Sequence, residues 1–92
     1  MPYIRPEDRS YYDENIDELI ATLYNCNQPD LKPGELNYII SKIIAGLLEH
    51  YGTSYTLLNN ITGVLECVKL ELYRKVAANY EDQKEAENGP VY

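Results

Sequence analysis

Apolar residues recur along this chain every three or four positions, the period of an α-helix with one face turned inward. Ile16, Leu19, Ile20 and Leu23 make the first such stripe. Asp13, Glu14, Asp17 and Glu18 crowd its start, where acids favour the positive end of the helix dipole. This predicts a helix over about 13–25. Residues 26–34 read Cys-Asn-Gln-Pro-Asp-Leu-Lys-Pro-Gly, which is turn chemistry. Leu36, Ile39, Ile40, Ile43, Ile44, Leu47 and Leu48 then define a second helix over about 34–51. Its stripe is wide, which predicts burial on more than one side. Gly52 ends it, and Thr53 or Ser54 caps the next. Tyr55, Leu58, Ile61, Leu65, Val68, Leu72 and Val76 continue the period, so the third helix runs over about 54–79 or longer.

The expected fold is therefore all-α, a small bundle of three main helices forming one domain over residues 1–92. Residues 1–12 read as an irregular segment in which Pro6 opens at most one helical turn. Residues 81–92 read as a charged tail that either frays or docks as an arm through Val91-Tyr92. A third helix of this length spans roughly 39 Å, more than a compact domain of this size can accommodate. Its overhanging apolar surface predicts an oligomer.

Charge narrows the classes of partner. Fifteen acids oppose eight bases, for a net charge of −7. A duplex-binding protein gains affinity by neutralising phosphates, so nucleic acid is disfavoured. A small anion needs only a few local cations and is compatible with this balance. No run of about 20 apolar residues predicts a membrane span. The opening Met1-Pro2-Tyr3-Ile4-Arg5-Pro6 lacks the apolar stretch of a signal peptide, which predicts a cytoplasmic protein. Cys26 and Cys67 form no metal-ligand spacing and are expected to be reduced and packed as small apolar residues. Ten tyrosines with no Phe or Trp point to half-buried rims and interfaces, where the hydroxyl finds a partner.

The candidate chemistry lies on the third helix. Glu66, Lys69 and Tyr73 follow one another at i, i+3 and i+4 spacing along one edge, with Arg74 a stripe over. As a site, Lys69 and Arg74 would hold an anion and Tyr73 would stack on a ring. Asn37 and Tyr38, at the start of the second helix, are added as candidate ligand contacts. Read structurally, the same edge is a salt-bridged helix flank. Gly63 within the third helix and Gly46 within the second would admit close approach of another backbone. His50 stands at a helix end, where imidazolium meets the negative dipole. No nucleophile elbow, P-loop or dinucleotide fingerprint is present, so no enzyme and no cofactor are expected. Asp13 with Asp17 and Glu14 with Glu18 form i, i+4 acid pairs, as in all-α magnesium-dependent nucleotide pyrophosphohydrolases. The third helix supplies only Glu66 and Glu71 opposite them, which is half a site.

The segment Gly63-Val64-Leu65-Glu66-Cys67-Val68-Lys69-Leu70-Glu71-Leu72-Tyr73-Arg74-Lys75, with Tyr80-Glu81-Asp82 and Glu87-Asn88-Gly89-Pro90-Val91-Tyr92, resembles an uncharacterised family of small bacterial and phage proteins. Pro2-Tyr3-Ile4, Glu7-Asp8-Arg9 and Pro33-Gly34-Glu35-Leu36-Asn37-Tyr38 fit it too, and Pro90 is a departure from it. The resemblance implies a stand-alone domain and no established activity. By analogy of size and style, small phage proteins that sequester nucleotide signals between subunits suggest a non-enzymatic homo-oligomer holding a small phosphorylated ligand. An acidic adaptor that binds or inhibits a host protein is the alternative. The magnesium-dependent hydrolase stands third.

Overall fold

A computed structural model describes residues 3–92. It is all-α, with no strand among the described residues. The helices are α1 (Pro6–Cys26), α2 (Pro33–Tyr51), α3 (Tyr55–Leu72) and α4 (Ala78–Asn88). A π-helical stretch, Tyr73–Ala77, joins α3 to α4 without a break, so the chain makes three helical runs. Packing divides the described chain into two units, Tyr3–Leu57 and Leu58–Tyr92.

Helix α1 begins at Pro6, seven residues before the expected start at 13, so most of the segment expected to be irregular is helical. Local chemistry explains the difference. Pro6 takes the first helical position, where its missing N–H costs nothing, and Glu7 and Asp8 fill the first turn. The Arg5 guanidinium reaches Asp8 at 3.0 Å and Glu7 at 3.7 Å. The helix could not be read from apolar spacing because residues 6–12 carry no apolar stripe, and Tyr11 and Tyr12 there are exposed. Met1 and Pro2 lie outside the described residues.

Proline also opens α2, at Pro33, with Glu35 in its first turn. Gly52 closes α2 at φ +81, and its N–H donates to Leu48 O at 2.9 Å. Of the two expected caps for α3, Ser54 serves: its Oγ accepts the Leu57 N–H at 3.1 Å. The stretch expected to be a charged tail is helical as far as Asn88. Gly89, at φ +86, then closes α4 by donating its N–H to Glu85 O at 2.8 Å.

The turn between α1 and α2 is built on Asn27, whose side chain is the one buried polar group among the described residues. Its Nδ2 donates to Leu23 O at 2.7 Å and to the Glu35 carboxylate, and its Oδ1 accepts the Lys32 N–H at 2.9 Å. One amide thus ties the end of α1 to the start of α2. The Gln28–Pro29 peptide bond in this turn is cis. Away from the turn, α1 and α2 do not pack along their lengths.

No apolar side chain is buried among the described residues. Leu23, Ile39, Ile44, Leu48 and Leu57 are half-buried in the first unit, and Ile61 and Cys67 in the second. The wide stripe of α2 is not buried on two sides as expected. Leu36, Ile40, Ile43 and Leu47 stay 37–53% exposed. Periodicity shows which face an element buries, whereas burial itself requires a neighbour. Cys26 is likewise exposed rather than packed.

The interior glycines meet nothing either. A Cβ built on Gly46 or Gly63 finds no atom within 4 Å. Gly63→Ala is therefore expected to stabilise the isolated chain by about 1 kcal/mol through helix propensity alone. Paired thermal and urea melts would check this. A loss of stability at dilute concentration would contradict it.

Candidate functional site

The six candidate residues fall in the two separate units. Asn37 and Tyr38 belong to α2, where both line a shallow recess with Pro33, Gly34 and Ser41. Asn37 Oδ1 accepts the Ser41 hydroxyl at 3.1 Å, and Tyr38 is 65% exposed. Tyr38 also borders an apolar recess of about 420 Å³ between the end of α1 and the start of α2, with Leu23, Cys26, Gly34 and Ile39 among its walls.

Glu66, Lys69, Tyr73 and Arg74 share the second unit, and each cation has a carboxylate on its own helix. Lys69 Nζ stands 3.2 Å from Glu66 Oε1, and an Arg74 terminal nitrogen 2.8 Å from Glu71 Oε1. Both are i, i+3 pairs whose cations are largely exposed. Pairs of this kind contribute about 0.2–1 kcal/mol. Glu71 was not among the expected site residues, although its i, i+3 spacing to Arg74 made it legible.

Tyr73 does something the helical wheel did not foresee. Its hydroxyl donates to Glu81 Oε2 at 3.0 Å, eight residues on. In an uninterrupted α-helix, eight residues leave two side chains about 80° apart around the axis. The π stretch takes up one extra residue, closing a hydrogen bond from the Ala78 N–H to Tyr73 O. That removes about 100° of rotation and brings positions 73 and 81 within about 20° of one face. The inserted residue therefore creates the pair. Farther along, Lys84 Nζ lies 5.5 Å from the centre of the Tyr80 ring.

The Tyr73 phenol is raised above its ordinary pKa. The hydrogen bond to Glu81 is the main cause, followed by the Glu81 charge, slight desolvation and Asp82. The protonated phenol is the donor, so the folded state holds that proton more tightly than the unfolded one. The pair's contribution is complete below the ordinary tyrosine pKa, about 10, and is lost as pH rises through the raised value. Glu81→Gln is expected to bring Tyr73 back toward an ordinary tyrosine. NMR titration of ring-labelled protein, with Tyr73→Phe to assign the resonance, reads this directly. An unchanged Tyr73 midpoint in Glu81→Gln would contradict the contact.

Among the described residues no group of three His, Cys, Asp or Glu side chains could hold a metal ion. The acid pairs of α1 therefore find no converging partners there. No helix of the described residues is long and apolar enough to cross a membrane.

The fold and its surface define a class: an acidic, all-α chain whose helices keep apolar faces exposed and in which Lys69 and Arg74 sit in exposed ion pairs at a π turn. The chain belongs to the family described as a domain of unknown function (DUF6899), whose model matches residues 1–91. No curated protein and no solved structure matches it.

Proposed function

We propose that this chain is a non-enzymatic, homo-oligomeric binding protein that holds a small phosphorylated ligand of nucleotide type at a subunit interface. Lys69 and Arg74 take the phosphate and Tyr73 takes the ring. The observation that carries the reading is that two exposed cations and a tyrosine stand within one and a half turns of α3 and the π stretch, with Tyr73 on the same edge as Lys69, and Arg74 farther around the helix, so that the subunit interface must bring the two cations to one ligand. Their glutamate partners are weak competitors. An exposed i, i+3 ion pair is worth about 0.2–1 kcal/mol, whereas a hydrogen bond to a charged phosphate contributes about 1.5–3 kcal/mol. A phosphate can thus displace Glu66 from Lys69 and Glu71 from Arg74. Analogy of size and style with small phage proteins that sequester nucleotide signals supports this reading.

Native mass spectrometry of protein purified from its natural host tests the reading first, followed by titration with a panel of nucleoside phosphates and cyclic dinucleotides. Lys69→Ala with Arg74→Ala is expected to weaken capture of the bound species at least tenfold, in line with the loss of charged hydrogen bonds. Unchanged capture would refute the site.

A second reading has its own observation. Asp13, Glu14, Asp17 and Glu18 are all exposed on α1. That acidic stretch would meet a basic face of a host protein. A stoichiometric host polypeptide in the same spectra, with no small-molecule mass, would favour this adaptor.

A further inference from the structure

The π stretch decides which residues of α4 share an edge with Lys69 and Tyr73. Each α-helical residue turns the chain by about 100°, and the inserted residue takes about 100° away. Lys69, before the insertion, lies about 40° from Tyr73 in either case. Beyond it, Glu81 and Glu85 fall within about 20° of Tyr73, whereas Tyr80 and Lys84 are turned away by about 120° and 80°. Closing the stretch to plain α reverses the arrangement. Tyr80 and Lys84, seven and eleven residues after Tyr73, then come within about 20° of it, and Glu81 and Glu85 move off to about 80° and 120°.

The change is local in its bonds. The Ala78 N–H gives up Tyr73 O, five residues back, and takes Arg74 O, four back. From Asn79 to Asn88 every residue is exposed, so turning α4 about its axis strips it of no burial. The hydrogen bond from Tyr73 to Glu81, at 3.0 Å, needs the inserted residue. Tyr80 and Lys84 travel as a pair, since the Lys84 ammonium already lies 5.5 Å from the Tyr80 ring.

We infer that the π stretch is a two-register switch latched by the Tyr73–Glu81 bond, and that its α register adds Tyr80 and Lys84 to the edge that holds a phosphorylated ligand. The ligand part rests on the function proposed above, and the switch does not. An α turn is the common state of a helix and a π turn the rare one, so a specific bond has to hold the π register. The latched register sets two carboxylates beside Tyr73, where they repel a phosphate. The α register exchanges them for a cation and a second ring. An anion therefore binds the two registers unequally and shifts the population between them.

Scalar couplings across hydrogen bonds in the isotope-labelled full chain read the register directly. The Ala78 nitrogen couples to the Tyr73 carbonyl carbon in the π register and to that of Arg74 in the α register. The native chain is expected to show the first and Glu81→Gln the second, and added ADP should move the native chain the same way. ADP is also the probe for calorimetric titration. If the α register holds about a tenth of the native population, Glu81→Gln should tighten ADP binding up to about tenfold. Adding Lys84→Ala to Glu81→Gln should cancel that gain. Deleting Ala77 leaves Glu81 facing Tyr73 in an unbroken α-helix, so ADP binding should weaken at least about tenfold with Lys69, Tyr73 and Arg74 intact. A coupling that stays on Tyr73 in Glu81→Gln overturns the switch and leaves the proposed site to its own test. A coupling that moves to Arg74 without tighter ADP binding overturns the role of Tyr80 and Lys84. ADP binding by none of these proteins overturns that role together with the nucleotide reading above, while the couplings still decide the switch.

Discussion

Asn27→Asp is expected to be the most damaging isosteric change in the first unit, costing about 3 kcal/mol at neutral pH. The native amide uses both its ends. Its Nδ2 donates to Leu23 O and to the Glu35 carboxylate, and its Oδ1 accepts from the Lys32 N–H. Aspartate keeps the acceptor and removes the donor. The oxygen that replaces Nδ2 would then face a carbonyl and a carboxylate at a residue that is 4% exposed. Asn27→Ala loses all three bonds but buries no charge against Glu35, so its cost is smaller, about 2 kcal/mol. The two variants separate by pH. Burial beside Glu35 raises the introduced aspartate above its ordinary pKa, about 3.9. Its destabilisation is thus full above that raised value and shrinks as acid restores a donor. Urea melts of both variants from neutral to mildly acidic pH check this. A constant gap between them across that range would show that Asn27 does not act through its donor.

Asn27 also shows why the turn was only half legible. Cys-Asn-Gln-Pro-Asp marks a turn, but nothing local says that one amide will bond Leu23, Lys32 and Glu35 together. That arrangement depends on where α2 begins, and Pro33 fixes it. The start of α1 was missed for the opposite reason. Pro6, Glu7 and Asp8 are a sound helix opening, yet no apolar period accompanies them to extend it. The three helical runs were legible because the stripes Ile16–Leu23, Leu36–Leu48 and Leu58–Val76 keep their spacing. The π stretch was not. Proline and glycine are absent from Tyr73–Ala77, and α and π turns use the same residue types. The Lys69–Glu66 pair was therefore readable from i, i+3 spacing, and the Tyr73–Glu81 pair was not. Burial is the least legible, because the sequence shows apolar faces without showing what covers them.

Gly52→Ala is the second large effect expected, a loss of about 2 kcal/mol. Gly52 sits at φ +81 and ψ 140, a region essentially reserved for glycine. No atom lies within 4 Å of a Cβ built there, so crowding contributes nothing and backbone strain is the whole cause. The chain can relieve the strain only by moving φ to negative values. That breaks the bond from the Gly52 N–H to Leu48 O and turns Thr53 and Ser54 away, removing the Ser54 cap from Leu57. Each escape costs about as much as the strain it avoids. Gly34→Ala provides the control. Gly34 has the same open surroundings and no positive φ, so alanine there should be neutral or gain up to about 1 kcal/mol. Melts of both variants must be run at several protein concentrations, because association raises apparent stability by mass action. Equal melting of the Gly52→Ala and Gly34→Ala proteins would mean that the α2–α3 joint tolerates a side chain at Gly52, and that strain does not hold the turn.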